Sequence, residues 1–202
     1  MKKRIKINGL IIFSVVIIIL GFPQVFFRQK ISVAIEVIAQ VAGMAMLLLG
    51  QLFRVSARGY KSENSQSGHA LIIGGPYSLV RNPMYLGILL IGLGLVLVLF
   101  KLWVAAIFLG FFYIRYVLLI LKEEEKLSVI FKNEFSKYTQ RVPRLIPNLK
   151  SLSKSDIRTY LPLKIKWIKR ELSPIIWVLL VIIVFVSWFD LRHYGWAVYL
   201  VQ

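Results

Sequence analysis

From residue 84 to residue 121 the chain reads MYLGILLIGLGLVLVLFKLWVAAIFLGFFYIRYVLLIL, and Lys101 and Arg115 are its only charged side chains. Crossing the hydrocarbon core of a bilayer takes roughly 20 consecutive apolar residues in a helix. Lys101 therefore divides the stretch into two membrane-length runs, Met84–Phe100 and Leu102–Leu121. With one residue between them, the runs predict a tight helical hairpin.

Similar runs flank this hairpin. Ile7–Phe27 and Ile31–Phe53 precede it, and a shorter run, Ile175–Phe189, follows, with Trp177, Trp188 and Trp196 suited to interfacial anchoring. The first run is long for the apolar region of a signal peptide and lacks a small-x-small cleavage site, so it is expected to stay as a span. The expectation is an all-α polytopic membrane protein with about five transmembrane helices, forming a single membrane domain over residues 1–202. Within it, residues 1–60 hold two N-terminal spans and residues 61–147 hold a core built on the hairpin. Residues 148–202 hold a basic interfacial segment and the last span.

Charge orients these spans. The 202 residues are 58% apolar and 17% charged, with 26 Lys+Arg against 9 Asp+Glu and a net charge of +17. Lys2, Lys3, Arg4, Lys6, Arg54, Arg58, Lys61 and Arg81, with thirteen basic residues between Lys122 and Ser173, fall on one side of a five-span topology. Arg28, Lys30, Lys101 and Arg192 fall on the other, which predicts an integral membrane protein with a cytoplasmic N-terminus; if the chain is prokaryotic, the membrane is the plasma (inner) membrane. These residues border apolar spans and lack the stacking aromatics of a nucleic-acid module. They point to an anionic membrane surface as partner and to no nucleic acid. The absence of cysteine excludes disulfide frameworks, thiolate metal sites and cysteine nucleophiles, and no metal site is expected.

Two polar segments carry the candidate chemistry. Residues 68–85 read GHALIIGGPYSLVRNPMY. Gly74-Gly75-Pro76 forces a turn, and Asn82-Pro83 predicts a helix start, with Asn as N-cap and Pro at the first helical position. Residues 122–147 read KEEEKLSVIFKNEFSKYTQRVPRLIP. Leu127, Ile130, Phe131, Phe135, Tyr138 and Val142 recur at helical spacing, predicting an amphipathic interfacial helix ended by Pro143. Ser151–Arg170, less regular, is expected to lie on the membrane as well. Glu123-Glu124-Glu125 stands at the end of a span, where a basic flank would be ordinary. Either a charge network with Lys122, Lys126 and Arg81 or a cationic ligand accounts for it. Gly87, Gly92 and Gly94 read as helix-packing residues, and Arg115 as a charge buried within its span.

The segment from His69 to Pro147 resembles the C-terminal half of the isoprenylcysteine carboxyl methyltransferase family and its phospholipid methyltransferase relatives. The matching residues are His69-x-Leu71-Ile72, Gly75-x-Tyr77, Arg81-Asn82-Pro83-x-Tyr85-x-Gly87, the hairpin, Glu123-Glu124-x-x-Leu127, and Phe135-x-x-Tyr138-x-x-Arg141-Val142-Pro143. The resemblance implies S-adenosyl-L-methionine as cofactor, in a pocket at the cytoplasmic face, and a lipid or isoprenoid-type amphiphile as methyl acceptor. His69, Ala70, Leu71, Ile72, Tyr77, Asn82, Pro83, Met84, Tyr85 and Glu123 would bind the cofactor. Glu123, Glu124, Arg81 and Arg115 would be the catalytic candidates. Asn82 stands where the prenylcysteine enzymes have His, and Leu119 where they have Arg, which leaves carboxylate, amine and hydroxyl acceptors open. An NADPH-dependent membrane reductase of sterol or isoprenoid type and a non-enzymatic membrane scaffold are the alternatives. Oligomeric state is not legible.

Overall fold

A computed structural model describes residues 21–27, 33–65, 70–147, 157–173 and part of 176–187. The expected first span and the last therefore lie wholly or largely outside the described residues. The elements that are described are helical, joined by turns and one isolated bridge between Phe27 and Phe100.

Helix α1, Val33–Asn64, is 32 residues long. It begins as the second expected span but continues through 54–64, past the end of the apolar run at Phe53. No proline interrupts that stretch, and side chains from the end of the described chain hold it. Helix α2, Pro83–Leu99, packs antiparallel along α1 through two glycine pairs one heptad apart. A Cβ on Gly50 would lie 2.7 Å from the Gly87 carbonyl, and one on Gly87 2.7 Å from the Gly50 carbonyl. Gly43 and Gly94 stand in the same reciprocal relation. Small residues let helix backbones approach this closely in a membrane, where lipid offers no hydrophobic gain for association. Gly87→Val places a branched side chain against backbone that cannot yield. It is expected to lower stability by about 1–3 kcal/mol or more, read as a fall in the thermal midpoint in detergent. Gly110→Ala, where an added Cβ meets nothing within 4 Å, is the unaffected control.

Helix α3, Leu102–Phe112, follows α2 after Phe100 and Lys101, so the tight hairpin is present. The Phe108 ring lies over Gly92. Residues 24–27 close the hairpin's turn. The Lys101 amide donates to the Phe26 carbonyl at 2.9 Å, its ammonium donates to the Gln24 carbonyl at 2.7 Å, and Phe27 stacks on Phe100 at 5.0 Å.

A π-helical turn, Tyr113–Val117, joins α3 to helix α4, Leu118–Arg141. Arg115, expected to be buried, lies in this turn and is exposed. The fourth span and the amphipathic helix are thus one continuous run, bent at Lys132, where φ is 36° and ψ is −108°. The bend rotates the two halves of the apolar stripe apart. Ile130, before it, is 66% exposed, whereas Phe135 and Tyr138, after it, are buried.

Val37–Asn64 and Leu102–Arg141 are long and apolar enough to cross a membrane. Only 22% and 11% of their apolar windows are buried, so their greasy side chains face outward, opposite to the core helix of a soluble protein. At 17 residues, α2 sits at the lower limit of spanning length.

Helix α5, residues 165–173, overlaps the segment expected to lie on the membrane and docks on the polar end of α1. Trp167 is buried over Gly59 and donates from Nε1 to Glu63 at 2.8 Å. Buried Glu171 accepts from Arg58 at 2.7 Å, and Ser56 donates to the Pro162 carbonyl at 2.8 Å. Ile165 and Leu163 still point outward. A small core of Phe53, Leu79, Val80 and Leu86, flanked by Leu145 and Leu161, fills the space beneath. It holds the 74–82 loop against both α1 and α2.

Candidate active site

The loop between α1 and α2 is shaped by its glycines. Gly75 adopts φ 58°, a left-handed conformation that costs a glycine little, and the Tyr60 ring packs where a side chain would otherwise project. The next residues form a 3-10 turn, Gly75–Ser78, closed by Ser78 Oγ donating to the Gly75 carbonyl at 2.6 Å. Tyr77 is thereby turned inward, its hydroxyl 3.4 Å from the Ala57 carbonyl. Burial, and secondarily the charge of Glu123, keep that phenol protonated well above the ordinary tyrosine range. Tyr138 on α4 donates to the Tyr77 carbonyl at 2.6 Å. Tyr138→Phe removes the bond and orphans that carbonyl. A loss of about 1–2 kcal/mol is expected, measured by thermal unfolding.

Beside this turn, α2 begins with the expected Pro83 at its first position, but Asn82 does not cap with its side chain. Its backbone carbonyl accepts from the Tyr85 and Leu86 amides at 3.1 Å each. The side-chain amide turns away, donating to Glu124 Oε1 at 3.0 Å and to the Arg144 carbonyl at 3.1 Å. A carboxylate on the neighbouring helix is the stronger acceptor, because charge-assisted hydrogen bonds exceed neutral ones.

Glu124 is the centre of this clasp. Its residue is 8% exposed, and Oε2 accepts from Arg81 at 3.2 Å and from Arg144 at 3.1 and 3.0 Å. The Arg81 amide donates to the Pro143 carbonyl at 2.8 Å. One carboxylate facing two guanidinium groups leaves the clasp with a surplus positive charge. The three consecutive glutamates thus separate. Glu124 is ion-paired, as the charge-network explanation expects of Arg81, with Arg144 where lysines were expected. Glu125 is exposed, its carbonyl accepting from Ser128.

Glu123 is the member left for other chemistry. It is exposed, and Oε1 accepts from the Tyr85 hydroxyl at 2.8 Å; among the described residues nothing engages Oε2. The Tyr85 ring meets Tyr116 at 5.7 Å, and Tyr116 stacks on Phe112 at 4.8 Å. A carboxylate beside an aromatic group of this kind suits a cation.

The other candidates divide. Pro83 is buried, and Met84, Leu71 and Ile72 are half-buried. Ala70 is exposed, and His69 lies outside the described residues. Leu71 and Ile73 line an open cleft of about 330 Å³ with Glu134, Lys137, Tyr138, Arg141 and Val142. Three participants were not anticipated: Arg144, Phe112 and Tyr116. Arg144 directly follows the matched Val142-Pro143, while Phe112 and Tyr116 are four residues apart in a run where every residue is apolar or aromatic except Arg115.

Residues 38–134 match the model of a family described as phospholipid methyltransferase. The match runs from the first turns of α1 through the clasp-forming loop, the hairpin and the three glutamates. No curated protein and no solved structure matches the chain.

Proposed function

Since residues 38–134 match the phospholipid methyltransferase family model, we propose that the protein is an integral membrane enzyme. In this proposal it transfers a methyl group from S-adenosylmethionine to a lipid or lipid-linked acceptor at the cytoplasmic face. The orientation rests on the basic skew of the polar segments, with the N-terminus cytoplasmic.

The observation that carries the proposal is the 2.8 Å bond from Tyr85 to Glu123. It joins the start of α2 to the end of the membrane run in α4 and presents an unshared carboxylate oxygen beside aromatic faces. That donor set fits the cofactor, which supplies an electrophilic methyl on a sulfonium cation. Glu123 and the rings of Tyr85 and Tyr116 favour the cation. The surplus charge of Arg81 and Arg144 favours the cofactor's own carboxylate. The family resemblance adds His69, Ala70, Leu71, Ile72, Tyr77, Asn82, Pro83 and Met84 as further proposed cofactor contacts.

Methyl transfer needs an in-line approach and little covalent help, so alignment and exclusion of water supply much of the rate. Arg81, Asn82 and Glu124 serve as positioning residues, fixing where α2 begins relative to α4. Glu123 Oε2 takes up the proton released when the acceptor is an amine or a hydroxyl. A carboxylate acceptor releases none.

Calorimetry on the detergent-purified full chain tests the cofactor assignment. S-adenosylhomocysteine is expected to bind with measurable heat. Absence of that heat, together with a fluorescence change on adding NADPH, would replace the methyl-transfer proposal with the reductase alternative.

A further inference from the structure

Arg115 is the charge that the clasp and the Tyr85–Glu123 pair leave unused. It makes no hydrogen bond or ion pair with any described residue. Its neighbours Phe111 and Ile114 are 71% and 65% exposed, as lipid-facing residues are. An ionised side chain placed there is expensive unless something pairs with it.

The backbone around it is equally unusual. In an uninterrupted α-helix, eight residues turn by about 80° beyond two full revolutions, which would set Arg115 well round from Glu123. The π-turn Tyr113–Val117 takes in about one extra residue and turns Arg115 back toward the Glu123 face. That face carries Glu123, whose carboxylate accepts from the Tyr85 hydroxyl at 2.8 Å. Tyr116, the neighbour of Arg115, meets the Tyr85 ring. Along one side of this run the order is therefore carboxylate at the polar rim, tyrosines, guanidinium, and then exposed Phe111 and Ile107. An amphiphile lying along it would present a reactive head, an anion and an apolar chain in that sequence.

Building on the methyl-transfer proposal, we infer that Arg115 binds an anionic group of the lipid acceptor, a phosphate or a carboxylate. That group lies on the membrane side of the methyl-accepting atom. Arg115 is then a specificity-determining residue that selects lipids carrying an anion below the reacting head. The Cα atoms of Arg115 and Glu123 are roughly 10–12 Å apart along the helix axis, so the anion and the methyl-accepting atom would be held at successive levels along the run.

The test titrates the full chain in neutral detergent with dodecyl phosphate, dodecanoate and dodecanol, alongside S-adenosylhomocysteine. The wild type is expected to prefer at least one anionic amphiphile over the alcohol by about 10-fold or more, as charge-assisted hydrogen bonds would give. Arg115→Gln is expected to bring that preference to within about two-fold, with S-adenosylhomocysteine affinity unchanged. Arg115→Lys keeps a preference for phosphate, which a point charge satisfies, and loses one for carboxylate, which uses the planar fork; this separates the two anions. Equal binding of all three amphiphiles by the wild type overturns the inference. So does an unchanged preference in Arg115→Gln, the result expected of an arginine that only reaches bulk lipid phosphates. If the wild type prefers the anions but binds no S-adenosylhomocysteine, the anion site stands and methyl transfer falls.

Discussion

Glu123→Gln is expected to reduce methyl transfer by about 100-fold or more while leaving the fold intact. The side chain is exposed, and its one described partner, the Tyr85 hydroxyl, can donate to a glutamine oxygen as well as to a carboxylate. The thermal midpoint should therefore move by only about 1–2 °C, in line with an exposed substitution worth some ±0.5 kcal/mol. In the proposed function, what disappears is the negative charge that would face the sulfonium and the oxygen that would take up a proton. S-adenosylmethionine is a cation at sulfur and S-adenosylhomocysteine is not. The variant should thus lose affinity for the first and keep it for the second, a difference that calorimetry on both ligands reads directly. Glu125→Gln, one residue beyond the pair, should change none of these quantities.

Glu124→Gln should behave in the opposite manner. The carboxylate is buried against Arg81, Asn82 and Arg144. Removing its charge leaves two guanidinium groups facing one another, with a buried Arg81 Nε that has no hydrogen-bond partner among the described residues. Breaking a buried ion pair from one side costs about 3–5 kcal/mol, on the order of a 10 °C fall in midpoint for a chain of this size. Activity is lost together with stability, since Asn82 and the first turn of α2 are no longer held against α4. Two adjacent glutamates thus separate experimentally into one whose loss is read in chemistry and one whose loss is read in folding. An equal stability loss in both variants would place both carboxylates in the clasp.

Much of the architecture was legible because membrane helices are dictated by simple constraints. The Lys101 break located the hairpin to the residue, and Gly87 and Gly94 marked a packing face that Gly43 and Gly50 complete on α1. What was hidden depends on tertiary partners. Asn82 has an intrinsic preference for capping, yet a carboxylate on α4 is a better acceptor than a backbone amide, and only the folded chain brings it near. The bend at Lys132 and the π-turn at Tyr113–Val117 leave no clear mark in an apolar sequence, so the predicted continuous stripe and the buried Arg115 were both misplaced. The extension of α1 beyond Phe53 is not legible because its stabilising partners, Trp167 and Glu171, lie more than a hundred residues away. In the candidate site, the motifs were visible as residues but not as roles. Composition marks the three glutamates as anomalous, whereas only their partners tell Glu124 from Glu123.

The central claim is that the carboxylate of Glu123, positioned by Tyr85, serves methyl transfer to a membrane lipid. Incubating the purified protein with methyl-labelled S-adenosylmethionine and total membrane lipid, then analysing the lipids by mass spectrometry, tests it most directly. A lipid heavier by one labelled methyl group in place of a proton, formed by the wild type and reduced about 100-fold or more with Glu123→Gln, is the predicted result. No labelled lipid from a folded wild-type protein, or equal labelling by the Glu123→Gln variant, would contradict it.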